Sequence, residues 1–142
     1  MPNIGRHIPE RAEQPPRIII VDDDNILREN IAEILSESGY ITRQAATGAE
    51  AANLIASEFF DLIITDIFMP DTDGIELIRK LHETDKKIRV LAMTGYSGDV
   101  DYLEIAEALG ARHTLRKPFR SRELLNIVAQ CLGEPPISFT ES

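Results

Sequence analysis

A chain of 142 residues, 43% apolar and 27% charged, holds one globular domain with its own core and little room for a second. The formal net charge of -9 argues against nucleic acid as a direct partner, because a phosphate-binding face carries a basic excess. The single cysteine, Cys131, excludes an internal disulfide and fits a reducing compartment; no apolar run approaches the ~20 residues of a membrane span, and no apolar signal core opens the chain, so a cytoplasmic protein is expected.

Residues 1–16 are polar and close on Pro15-Pro16, which predicts a flexible tail. Ile18-Ile19-Ile20-Val21 is a β-branched run of the kind buried in parallel sheets, and Asp22-Asp23-Asp24 follows at its carboxyl end. Leu27, Ile31, Ile34 and Leu35 recur at helical spacing until Gly39, with Asp24 placed to cap that helix. A weaker strand over 40–45 precedes Thr47-Gly48-Ala49-Glu50, which has the form of a capping box and opens a helix carrying Ala51, Leu54 and Ile55. Leu62-Ile63-Ile64 is too short for a helix and is bounded by turn residues, so it reads as a buried strand with Asp66 at its carboxyl end.

Ile75, Ile78 and Leu81 mark a helix over 74–83. Residues 90–94 form a fourth strand ending in Thr94-Gly95. Leu103, Ala106 and Leu109 predict a further helix stopped by Gly110, and 113–116 a short fifth strand ending at Lys117-Pro118. Ser121 is placed to cap a last helix with Leu124, Leu125, Val128 and Leu132, in which Cys131 falls at an apolar position. Residues 134–142, with Pro135-Pro136, read as a second tail, leaving one domain over 17–133.

Strand–helix alternation repeated five times predicts an α/β fold, a doubly wound five-stranded parallel sheet with right-handed crossovers. Without a Gly-x-Gly-x-x-Gly turn after the first strand, the flavodoxin-like (βα)5 order 2-1-3-4-5 is favoured. Strands one, three, four and five then bring Asp22, Asp23, Asp66, Thr94 and Lys117 to one edge. Carboxylates gathered there repel by about 4 kcal/mol per pair at ~4 Å and an effective dielectric near 20, so the cluster is tolerable only with a proton taken up or a cation supplied. All-oxygen ligation with room for water suits Mg²⁺. Asp23 and Asp66 are assigned as direct ligands, Asp22 as acting through a bound water, and the carbonyl of Phe68 as completing the protein's share. Asp66 is then a carboxylate nucleophile that forms an aspartyl phosphate. Lys117 and the hydroxyl of Thr94, with the following backbone N–H, neutralise phosphoryl oxygens, and a cis Lys117-Pro118 bond would aim the lysine.

These motifs resemble those of two-component response-regulator receiver domains of the stand-alone, chemotaxis-protein-like type. The residues that carry the resemblance are Ile20-Val21-Asp22-Asp23-Asp24, Asp66-Ile67-Phe68-Met69-Pro70 with Asp73-Gly74, Met93-Thr94-Gly95 and Lys117-Pro118-Phe119, and it covers roughly 17–132. The resemblance implies phosphorylation of Asp66 by a sensor histidine kinase or histidine phosphotransfer protein, Mg²⁺ dependence and self-catalysed dephosphorylation. It further implies a signal passed by phosphorylation-dependent binding to a downstream protein or by phosphorelay; with no DNA-binding module recognised in the sequence and a net charge of -9, direct DNA binding is not expected.

One position departs from the family. Where receivers usually carry a Tyr or Phe three residues before the lysine, this chain has Thr114, so signalling is expected without a ring flip. The family's positions flanking the hydrolytic water are occupied by Phe68 and Tyr96, two rings that should exclude water and prolong the phosphoryl form.

Asp22-Asp23-Asp24 also gives a thin Asp-x-Asp match to haloacid-dehalogenase-like phosphatases, but the short chain and the strand before Asp66 speak against it. Asp71-Thr72-Asp73-Gly74 fails as a calcium loop because Met69 occupies the first ligand position. His82 reads as an exposed helix-end residue, His7 as part of the tail and His113 as packing or surface. Arg112, Arg116, Arg120 and Arg122 form either a solvated face or a docking face.

Overall fold

The computed structural model describes residues 14–67, 74–84, 88–95, 104, 110, 111 and 113–134. Its elements are β1 (Arg17–Val21), α1 (Asn25–Glu37), β2 (Ile41–Ala45), α2 (Gly48–Ser57), β3 (Leu62–Asp66), α3 (Gly74–Thr84), β4 (Arg89–Thr94), β5 (His113–Arg116) and α4 (Ser121–Leu132). The helix expected from Leu103, Ala106 and Leu109, apart from Glu104, lies outside the described residues, as do Phe68, Tyr96 and most of both predicted tails.

The five strands form one parallel sheet in the order β2-β1-β3-β4-β5, as expected. Alternation along the strands divides the core in two. Ile19, Val21, Ile63, Val90 and Ala92 pack with Ala51 of α2 and Leu77, Ile78 and Leu81 of α3. On the other face Ile18, Ile20, Leu62, Ile64, Leu91 and Met93 pack with Ile31 and Leu35 of α1 and Leu124 and Val128 of α4. Strands covered on both sides can be apolar throughout, which is why β1 and β3 read as unbroken runs. Cys131 belongs to the α1–α4 core, where burial pushes its thiol up to about 12 against the opposing charge of Arg89.

The helix starts follow the capping chemistry with one correction. Asp24 caps α1, its carboxylate accepting the N–H of Leu27 at 3.1 Å. Thr47 accepts the N–H of Glu50 at 3.1 Å, and Glu50 reaches back to the N–H of Ala46 at 2.8 Å. Ser121, expected as the cap of the last helix, is instead its first helical residue. The cap position is Arg120, whose N–H donates to the Glu123 carboxylate at 2.8 Å. Gly39 ends α1 with φ +100, a backbone region that a side chain would resist. The described chain runs to Glu134, whose carboxylate accepts the Tyr40 hydroxyl at 2.9 Å.

Candidate functional site at the carboxyl edge of the sheet

Parallel register sets the site. Val21 lies beside Thr65, so Asp22 emerges next to Asp66. Thr94 lies beside Arg116, so Lys117 emerges next to the end of β4. Backbone bonds carry the ladder past the last paired residues: Asp22 N–H donates to Ala45 O at 3.2 Å, Ile67 N–H to Met93 O at 3.0 Å and Lys117 N–H to Thr94 O at 2.7 Å. The chain immediately beyond each strand is therefore held where the strand points.

The Lys117 ammonium donates to Asp22 Oδ2 at 3.0 Å and to Asp66 Oδ2 at 3.3 Å, joining three strand ends. The Lys117-Pro118 bond is cis. Burial alone would depress an ammonium; the charge of Asp66, with the hydrogen bond and charge of Asp22, outweighs it and holds the Lys117 pKa above its ordinary value. Asp22 is 0% exposed and Asp66 6%. Both oxygens of Asp22 take protein donors, Oδ1 from the N–H of Asp24 at 3.0 Å and Oδ2 from Lys117. Asp23 stays exposed, yet one carboxylate oxygen from each of Asp22, Asp23 and Asp66 lies within 4.8 Å of the others. Three acids against one ammonium leave net negative charge in a half-enclosed space, and hard oxygen donors of this kind fit a divalent cation such as Mg²⁺.

Thr94 is buried at the end of β4, and its hydroxyl donates to the carbonyl of Gly95 at 3.3 Å. The structure thus brings Asp22, Asp23, Asp66 and Lys117 together and sets Thr94 on the same edge, while Phe68 lies outside the described residues. Sequence reasoning missed Arg28. Its Nη1 donates to the carbonyl of Asp22 at 2.8 Å and its Nε to Gln44 Oε1 at 3.0 Å. The available signal was a cation in the first turn of the helix that follows an acidic triplet. Thr65 was missed as well; its hydroxyl donates to the carbonyl of Asp66 at 3.0 Å.

Known proteins are similar to this chain in sequence and fold. The family model of the response regulator receiver domain matches residues 18–129. Sporulation initiation phosphotransferase F of Bacillus subtilis is 36% identical over 116 residues, which cover 82% of this chain and 93% of that protein. Response regulator MprA of Mycolicibacterium vanbaalenii is 39% identical over 111 residues, covering 78% of this chain and 48% of that longer protein. A CheY-like response regulator receiver domain protein from Methanospirillum hungatei superimposes with a TM-score of 0.79 at 33% identity, over 84% of this chain and 95% of that one. Among the described residues no helix is long and apolar enough to cross a membrane. The matched family model, these relatives and the 2-1-3-4-5 sheet together establish that the chain belongs to the response regulator receiver domain family of two-component signalling.

Proposed function

We propose that Asp66 is the phosphoryl acceptor of this receiver, charged by a sensor histidine kinase or a histidine phosphotransfer protein. The observation that carries the reading is the Lys117 ammonium lying across Asp22 and Asp66 at 3.0 and 3.3 Å. An oxygen of Asp66 attacks phosphorus in line; the new P–O bond forms as the P–N bond to the donor imidazole breaks. The imidazole keeps that electron pair and leaves neutral, having carried a proton on its other nitrogen. Such a transfer depends on positioning and on neutralising the equatorial oxygens. Lys117 turns from its bridge between the two acids to one of those oxygens, and the Thr94 hydroxyl gives up its bond to Gly95 for another.

Asp22, Asp23 and Asp66, with the carbonyl of Phe68, would hold Mg²⁺. When bound, Mg²⁺ supplies positive charge that offsets the acids and the incoming phosphoryl group. The same residues return the phosphoryl group to water, and no other substrate is turned over. The signal leaves by phosphorylation-dependent binding to a downstream protein or by onward relay, in the cytoplasm and without direct DNA contact. Phosphotransfer profiling against histidine kinases and phosphotransfer proteins, in both directions, tests this reading. Rapid transfer to the parent chain and none to Asp66→Asn is the expected result.

A further inference from the structure

Asp23 is the exposed member of the acidic group, and among the described residues no hydrogen bond to its carboxylate fixes it. Its place is therefore set by the backbone on either side. That backbone is pinned at the N–H of Asp22, by Ala45 O at 3.2 Å, and at the N–H of Asp24, by Asp22 Oδ1 at 3.0 Å. The remaining pin is the carbonyl of Asp22, which belongs to the peptide unit joining Asp22 to Asp23 and accepts Arg28 Nη1 at 2.8 Å. Arg28 is itself anchored twice. Its N–H donates to Asp24 O at 2.9 Å, and its Nε holds Gln44 on β2 at 3.0 Å. The planar guanidinium fixes the direction of its Nη1–H donor toward the Asp22 carbonyl, which a lysine ammonium on a flexible stem does not reproduce.

We propose that Arg28 is a positioning residue that sets the divalent-cation affinity of the Asp22–Asp23–Asp66 cluster, by holding the Asp22–Asp23 peptide unit in the orientation that turns Asp23 toward the other two acids. The inference rests on reading that cluster as a Mg²⁺ site. It makes a prediction opposite in sign to simple electrostatics. Removing a positive charge beside a cation site should tighten Mg²⁺ binding; releasing the peptide unit should weaken it. Groups that orient metal ligands typically change affinity by about 10- to 100-fold when lost. Were Arg28 only a strap between α1 and β2, cutting the strap at Gln44 would act as strongly as cutting it at Arg28.

The test is calorimetric titration of MgCl₂ into the full chain and into Arg28→Met, Arg28→Lys and Gln44→Ala variants, with far-UV circular dichroism confirming the fold of each. Both Arg28 variants are expected to bind Mg²⁺ at least about 10-fold more weakly than the parent, and Gln44→Ala to stay near the parent value. Should Arg28→Met fail to fold, Arg28→Lys, which keeps the charge, carries the comparison. Unchanged or tighter binding in the folded Arg28 variants overturns the inference, as does equal weakening in Gln44→Ala. A parent chain that takes up no Mg²⁺ overturns the metal-site reading and the inference with it.

Discussion

Lys117 is the residue on which the site's electrostatics turn. Its ammonium is the counter-charge to two buried carboxylates in this state and the phosphoryl-oxygen donor in the proposed transfer. Replacement by Met removes both roles, with opposite consequences. A divalent cation no longer competes with an ammonium, so Lys117→Met should bind Mg²⁺ more tightly than the parent in a calorimetric titration. Loss of a preorganised charge at the reacting group should slow phosphoryl uptake by roughly 100-fold or more. Weaker metal binding with undiminished uptake would place Lys117 outside the chemistry. Phe68 and Tyr96 allow a second prediction from their side chains alone: two rings at the water-flanking positions keep the phosphoryl form long-lived. A double variant, Phe68→Asn with Tyr96→Ala, should lose the group faster than the parent in a label-decay assay, and equal or slower loss would contradict this. Asp22, Asp66 and Lys117 were legible as chemistry because a charged residue directly after an apolar run has few structural uses. Arg28 was harder to read, since a cation in the first turn after an acidic triplet is a weak signal and its bond to the Asp22 backbone carbonyl depends on no residue type at the acceptor.

At the scale of elements, legibility followed burial. β1 and β3, covered on both faces, announce themselves as unbroken runs, whereas β2 at the sheet edge is largely exposed and its sequence Ile41-Thr42-Arg43-Gln44-Ala45 mixes apolar and polar residues. β3 also runs on to include Asp66, because the ladder to β4 continues through the Asp66–Met93 pair. The start of α4 was displaced by one residue because Glu123 satisfies the N–H of Arg120, leaving Ser121 free to be helical. Its other end is controlled by Gly133, which sits at φ 72 and, among the described residues other than its chain neighbours, has no atom within 4 Å of where a Cβ would lie. The cost of adding that carbon is therefore a backbone cost alone. Gly133→Ala should lower unfolding free energy by about 1 kcal/mol in a denaturant titration, and Gly133→Asn by less. Equal stability of the alanine variant would mean that the left-handed turn is not what ends the helix.

For the whole molecule, strand order was the decisive inference, because it makes neighbours of Asp22 and Lys117, 95 positions apart in the chain. Five alternations and the lack of a dinucleotide-type turn were sufficient to choose it; the Arg28 bonds to Gln44 and to the Asp22 carbonyl do not follow from strand order. The fold also frames how a signal leaves. Thr114 pairs with Ala92 and Arg116 with Thr94 along the β4–β5 ladder, so a displacement of Thr94 would be expected to reach β5 through backbone register, without an aromatic side chain turning over. Beryllofluoride-bound and free forms should accordingly differ at Thr94, at the loop after it and at Thr114, as read by backbone amide chemical shifts. Superimposable spectra at these positions would remove that route.

The central claim is that Asp66 takes the phosphoryl group. Incubation with a phosphorylated histidine donor and Mg²⁺, followed by intact-mass measurement and peptide mapping, reads it directly. One phosphoryl group confined to the peptide bearing Asp66, and absent from Asp66→Asn, is the predicted result; a phosphoryl group on another residue, or undiminished incorporation in Asp66→Asn, would contradict it.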